Sequence, residues 1–205
     1  LAVLYAVAYA LKTSPRKGKA IPGFFDYVVP PLEGFWWQEG VDGADYGRKA
    51  DFHWISVLRL PAFVTEADFA WAAEDAARRK KLDCSAAELL AVEEGFCVQM
   101  LHTGPFETEP ETVNVMDAFL AENGYVNDLT DRRLHHEIYL SDARKTTPDR
   151  WRTILRHPVR KISPCLSHGV MAYAGPELKN HIDVEEPTML KIGEFSKLSR
   201  ISIRM

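Results

Sequence analysis

The chain has 205 residues, a formal net charge of −4 at pH 7, 46% hydrophobic residues and 26% charged ones. That length and balance exclude a fully disordered chain and fit one sizeable core with a fragment of a second module; the acidic charge gives no general attraction to nucleic acid. The three cysteines, Cys84, Cys97 and Cys165, lie far apart with no CxxC pair, which argues for reduced thiols in a cytoplasmic setting.

The opening LAVLYAVAYAL is too short to span a bilayer and lacks the basic leader of a signal peptide. It predicts a buried helix over 1–13, ended at Ser14-Pro15 because the residue before a proline avoids the α region. With no initiator methionine ahead of it, a first strand is expected to precede Leu1 and to be missing. FFDYVV at 24–29 predicts a strand, broken by Pro30-Pro31, and LEGFWW continues extended. After a polar loop over 38–50, FHWISVLRL predicts a second strand ended by Pro61. Thr65 then opens a helix with Asp68 at capping-box spacing; Phe69, Ala72, Ala73 and Ala76 form its buried face. Its basic end, Arg78 to Lys81, suits the negative pole of the helix dipole.

Residues 86–94 predict a short helix or turn, and GFCVQMLH a strand. Residues 110–123 form an amphipathic helix with Val113, Met116, Phe119 and Leu120 on one side and Gly124 past its end. LHHEIYL at 134–140 alternates as a strand, and WRTILRHPV at 151–159 is the last strand of the body. From Gly95 the order is strand, helix, strand, strand; from Leu1 it is the same unit without its first strand. The expected fold is therefore α+β, with duplicated β-α-β-β modules, pseudo-two-fold symmetry and a ligand cleft between them. Three segments follow: a body over 1–162, a linker or disordered stretch over 163–188 with no apolar period, and a helical tail over 189–205.

The chemistry centres on Glu137. In HHEIYL, His135, Glu137 and Tyr139 share one strand face, and His136, Ile138 and Leu140 share the other. A carboxylate is seldom buried without a partner, so an ordinary solvated strand acid is the alternative. The aromatic strands elsewhere in the chain offer walls that would make Glu137 the floor of a cup. There it serves as a general base or as the counter-charge of a cationic ligand. Tyr139 is a candidate proton or hydrogen-bond donor, or else packs with its hydroxyl at the surface. Adjacent Trp36 and Trp37 face opposite ways on a strand, so at most one lines the cleft; a Trp there stacks on a planar ligand or holds a cation. Tyr27 and Phe106 are further wall candidates. His102 and His135 fit hydrogen-bonded structural roles. Cys97, between Phe96 and Val98, reads as a buried, inert thiol.

The basic set from Arg144 to Lys161, which includes Arg156, reads as a solvated strand edge. There is no GxSxG, P-loop, GxGxxG or HExxH, and no Cys/His cluster, so no cofactor and no metal are expected.

In order along the chain, YVVPPLEGFWW, HWISVLRLPAFVTEADF, GFCVQMLHTGPFETEPET and HHEIYLSDARKTTPDRWRTILRHPV resemble the GyrI-like small-molecule-binding family, and LKTSPRKG near the start fits as well. The resemblance runs from about Leu1 to Arg160. It implies two β-α-β-β units around a cleft lined by a strand glutamate, which by match to HEIYL is Glu137. By match to PLEGFWW, the lining aromatics include Trp36 and Trp37. It also implies a partner class: a hydrophobic aromatic small molecule, often cationic. One function is a cytoplasmic binding module for drugs or toxins that confers resistance. Another is a hydrolase adding water to cyclopropane-bearing, DNA-alkylating natural products, with Glu137 activating the water; the PLEGFWW and LHTGPFETEP forms are similar to that stand-alone branch. A third is the effector-sensing part of a transcription regulator.

The tail IGEFSKLSRISIRM resembles the start of a MerR-type winged helix-turn-helix. Met189 stands in the initiator position, Ile192 to Leu198 form the first helix and Ser202 caps the second. Without a recognition helix or wing, this truncated tail is not expected to bind DNA alone. Its position after the sensor body, the reverse of the usual order, suggests two neighbouring reading frames joined at a boundary. No membrane partner is expected.

Overall fold

The computed structural model describes residues 1–41, 45 and 47–162, together with the backbone of 191–195 and 198–204. Helix α1 (Ala2–Lys12) is apolar nearly all round and is buried accordingly, through Leu4, Val7, Ala8, Ala10 and Leu11. After it come β1 (Leu32–Gln38), β2 (Phe52–Arg59) and α2 (Glu66–Lys80). The capping box at the head of α2 is formed: Asp68 N–H donates to Thr65 Oγ1 at 3.3 Å, and Thr65 N–H donates to Asp68 Oδ2 at 3.2 Å. At the basic end, Arg78 and Arg79 turn back onto buried Asp75, at 3.0 and 2.7 Å. Helices α1 and α2 pack together and, with Leu58, Leu60 and Val64, make the larger apolar core.

The second half contains β3 (Ala87–Val92), β4 (Gly95–Thr103), α3 (Glu109–Glu122), β5 (Tyr125–Asn127), β6 (His135–Tyr139) and β7 (Arg152–Lys161). Val113, Met116 and Leu120 of α3 pack on Val98, Leu155 and Val159, making the second core. The described strands pair antiparallel in the order β3-β9-β2-β1-β6-β7-β4-β8, with β5 beside β7. Here β8 is Lys191–Phe195 and β9 is Leu198–Arg204. The fold is thus α+β on an antiparallel sheet. The segment β4-α3-β6-β7 carries the expected strand-helix-strand-strand order, with the short β5 inserted after its helix.

Register places the site. Paired residues of antiparallel strands point to the same side. Gly34 pairs with Glu137, Trp36 with both His135 and Trp54, Glu137 with Leu155, and Val98 with His157. One face of the sheet therefore carries Trp36, Trp54, His135, Glu137, Tyr139 and His157. The α1 core meets that face at Leu58, and the α3 core meets it at Val98 and Leu155. The strip of β1 and β6 between the two cores is the candidate cleft.

Several expectations are corrected. Residues 24–29 form no regular strand: Pro30-Pro31 withdraws two N–H donors, and Phe24, Phe25 and Tyr27 turn onto Phe63 instead. Residues 87–92 are a strand rather than a helix or turn, because Ala-Glu-Leu-Leu-Ala-Val is laid against β9. The tail shows strands where a first helix was expected over 192–198, and Ser202 lies within β9 rather than at a helix cap. Residues 191–195 pair with β4, and 198–204 lie between β2 and β3. The linker over 163–188 and Met189 lie outside the described residues. Arg156 is not a solvated edge cation. It is 5% exposed on the opposite face of the sheet, donating to Glu94 Oε2 at 2.8 Å and to Gln99 Oε1 at 2.8 and 2.9 Å.

Candidate functional site

Glu137 lies mid-strand on β6 and is 7% exposed. Its Oε1 is 3.0 Å from His135 Nε2, and His135 Nδ1 is 2.6 Å from His157 Nε2. His135 Nε2 thus meets the carboxylate, and its Nδ1 lies against His157 Nε2. His157 Nδ1 is buried without a partner among the described residues. Burial first, and the neighbouring His135 second, hold the pKa of His157 well below the ordinary imidazole value. Neutral His157 thereby orients His135 toward the acid.

Tyr139, two residues on, faces the same way. Its hydroxyl oxygen accepts the Nε1–H of Trp36 at 3.0 Å. Burial first, then the charge of Glu137, raise its pKa well above the ordinary phenol value, so it stays a hydrogen-bond donor. Trp36 stacks on Trp54 at 5.5 Å between centroids, 27° from parallel, and meets the edge of Phe52. Phe106 sets its edge on Tyr139 at 6.1 Å and leans on Trp151 at 4.8 Å. The cleft is graded: Trp54 and Phe106 are exposed at the rim, Trp36 and Tyr139 are half-buried, and the floor is acidic.

Gly34 makes this approach possible. It faces Glu137 across the β1–β6 pair, and a Cβ there would stand 2.9 Å from both Trp36 Nε1 and the Tyr139 hydroxyl. A side chain at 34 would occupy the space in which those two groups meet.

A second acid stands beside the first. Glu109, the first residue of α3, is 5% exposed, and its Oε1 is buried without a hydrogen-bond partner. Burial chiefly, and the charge of Glu137 next, push its carboxyl strongly upward. The floor thus holds two carboxyls in electrostatic contact but in unlike surroundings. Glu137 has a histidine donor, whereas Glu109 Oε1 has none.

Glu137, Tyr139, Trp36, His135 and Phe106 are brought together, while Trp37 and Tyr27 are not part of the group. Trp37 points to the opposite face and stacks on His53 at 5.6 Å. Tyr27 packs on Phe25 and Phe63, and its hydroxyl donates to the Ala8 carbonyl at 3.5 Å. His102 is held by Thr112 and the Pro105 carbonyl, at 2.8 and 3.1 Å. Cys97 is fully buried, and burial pushes its thiol up to about 12, the mark of an inert side chain.

Sequence reasoning missed Glu109, His157 and Trp54. An acid in the first turn of a helix is ordinarily solvated, so Glu109 gave no signal. His157 did offer one, because it alternates with Leu155 and Val159 on the apolar side of β7.

A separate cavity of about 90 Å³ opens on the other face, between Phe35, Ile55, Glu94, Arg133 and Leu134. Phe35 alternates with Gly34 and Trp36, so this space does not belong to the cleft. Among the described residues no group of His, Cys, Asp and Glu is arranged to hold a metal ion, and no helix is long and apolar enough to cross a membrane.

Comparison with known proteins bears on the fold and the family. A crystal structure of a hydrolase from Listeria innocua matches with 45% identity and a TM-score of 0.70, covering 77% of this chain and 76% of its own. An uncharacterized conserved protein from Listeria innocua matches with 47% identity and a TM-score of 0.71, covering 77% of each chain. A further hydrolase structure from that organism matches with 46% identity and a TM-score of 0.70, again over 77% of each. No curated protein matches the chain. The model of the GyrI-like small molecule binding domain matches residues 23–160, the span that builds β1, β2, β4, β6, β7 and α3 around the cleft, and the chain belongs to that family.

Proposed function

We propose that the Glu137 cleft is a hydrolytic site for planar, apolar small molecules, with cyclopropane-bearing DNA alkylators as the substrate class and removal of a cytoplasmic toxin as the outcome. The observation that carries this reading is a buried strand carboxylate held by a histidine donor at the base of an aromatic cleft. Among the described residues, Glu137 has no Lys or Arg ion pair. A carboxylate placed so is costly to the fold and is suited to taking a proton. The two Listeria relatives described as hydrolases support the same direction.

In this reaction Trp36 and Trp54 stack on the aromatic plane of the ligand. Glu137 removes a proton from water, and the water oxygen bonds to a ring carbon. The strained carbon–carbon bond breaks and its electron pair moves into the conjugated carbonyl. Tyr139, still protonated, hydrogen bonds to the oxygen where that charge gathers.

The second reading is a binding module in which Glu137 is the counter-charge of an aromatic cation. The stacked Trp pair favours it, since π-faces beside a carboxylate hold such cations. One variant separates the two. Glu137→Gln keeps shape and removes basicity. A hydrolase retains ligand and loses turnover by about 10²–10⁴-fold. A cation binder loses affinity by about 1–3 kcal/mol. The assay incubates a cyclopropane-bearing alkylator with the protein and follows the gain of one water by mass. Ligand recovered unchanged from the wild-type protein refutes hydrolysis, and Glu137→Gln altering neither turnover nor affinity refutes both readings.

A further inference from the structure

We propose that the channel between β2 and β3 is a strand-binding surface whose occupant is this chain's own residues 198–204, and that this bound strand closes the half of the body that carries Trp36 and Trp54. The closing role holds whether the cleft hydrolyses its ligand or only binds it.

The sheet is arranged symmetrically about the contact of β1 with β6. Outward from β6 come β7, β4 and β8; outward from β1 come β2, β9 and β3. β1 and β2 follow α1 in the chain as β6 and β7 follow α3, and both pairs are antiparallel. β9 therefore holds the place that β4 holds in the other half. The helices agree: α3 runs beside β4, and α1 runs beside β9. In one half the outer strand comes directly before the helix; in the other it comes from far along the chain. Residues 198–204 also lie outside the span matched by the family model, 23–160, so the closing strand is drawn from beyond the matched domain.

β9 is paired along both sides, with Ile55–Arg59 on one and Ala87–Val92 on the other. In a strand so placed every N–H serves one neighbour or the other, and main-chain pairing supplies much of the hold. The sequence suits the place: LSRISIR alternates, and its two isoleucines fall at the register positions of core residues. Ile201 pairs with Leu58 and Leu89, and Ile203 with Ala87; Leu58 belongs to the α1–α2 core, and Leu89 and Ala87 pack against it. Among the described strands β3 meets the sheet only through β9. Withdrawing β9 would leave β2 with a bare edge and β3 with no sheet to join. β2 bears directly on the cleft. Its Trp54 stacks on Trp36, and the next residue, Ile55, pairs with Arg204. A strand joined to both neighbours by pairing and by no tight turn behaves as a tethered ligand, present at high effective concentration.

The test uses the full chain and amide hydrogen exchange followed by mass. Amides of 198–204 are expected to be protected together with those of 55–59 and 87–92. Ser202 is mid-strand, paired with Val57 and Glu88, so Ser202→Pro removes a donor from the ladder. The variant is expected to lose protection over 55–59 and 87–92, and its Trp emission to shift to the red as Trp54 gains water. A proline in a segment that took no part in the fold would change neither stretch, so a loss there supports the slot even where it spreads through the body. Free-chain exchange rates over 198–204 in the wild type overturn the proposal, and so does unchanged protection of 55–59 and 87–92 in Ser202→Pro. Unshifted Trp emission overturns the link to the cleft wall. Protection of 198–204 that falls on dilution, with a dimer observed by sedimentation, places the strand in a second copy and overturns the intrachain assignment.

Discussion

Gly34→Ala is the smallest change that probes the construction of the cleft. The added Cβ would lie 2.9 Å from Trp36 Nε1 and 2.9 Å from the Tyr139 hydroxyl, between two groups now joined by a 3.0 Å hydrogen bond. Both sit on half-buried side chains, so at least one must move and the bond is lost. Leaving a donor and an acceptor short of partners costs about 1–3 kcal/mol, and forcing a methyl into packed space costs about 1–3 kcal/mol more. Against this, alanine is easier than glycine to order in a strand by about 0.5–1 kcal/mol. A net loss of about 3 kcal/mol follows, or roughly 6–12 °C in Tm for a domain of this size. Urea unfolding with an unchanged m-value measures it, and Trp emission reports the displaced ring. The coupling is specific: Tyr139→Phe removes one of the two atoms in the way, so the double variant should lose less than the sum of the singles. Gly34→Ala with wild-type stability, or with strictly additive losses, would refute the close approach.

Two further outcomes follow from the same geometry. Burial and Glu137 raise the Glu109 carboxyl from 4.5 to about 9, so the folded chain holds a proton that the unfolded chain releases across that window. This contribution to stability is complete below about pH 4.5 and is lost as pH rises through about 9; Glu109→Gln should flatten that decline and raise stability at pH 8 in urea titrations. Trp36→Ala should abolish the quenching of Trp emission by a planar cationic dye, whereas Trp37→Ala, on the opposite face, should leave dye affinity unchanged. Equal losses from both would place the ligand elsewhere.

The floor of the cleft was legible in the sequence because a strand has a period of two. HHEIY put His135, Glu137 and Tyr139 on one side without any knowledge of their neighbours. The same rule said that only one of Trp36 and Trp37 could line the cleft, but the choice needed the pairing of Trp36 with His135. Glu109 was illegible because its burial depends on where α3 lands on the sheet, not on its local sequence. Arg156 was misjudged for a related reason: it sits among basic residues that resemble a solvated edge. Its partners, Glu94 and Gln99, are more than fifty residues away. At 24–29 an apolar run outweighed the two prolines that follow, and the prolines decided the outcome.

His136 and Glu137 are neighbours on the chain yet belong to different faces. Behind the sheet, His136 sits between Glu94 Oε1 at 2.6 Å and Glu33 Oε2 at 3.0 Å, with Arg156 on the far side of Glu94. Both ring nitrogens thus meet carboxylate oxygens. Removing one member of such a buried ionic group costs about 3–5 kcal/mol. A slip of β6 by one residue would exchange the two faces, driving Glu137 into the ionic group and His136 into the cleft. The rear cluster thus acts as a keyed lock on a strand only five residues long. With the strand keyed from behind, the front is free to vary. Rim residues such as Trp54 and Phe106 can be exchanged to admit other ligands without unseating the acid, and chemistry and ligand choice can change independently in this scaffold.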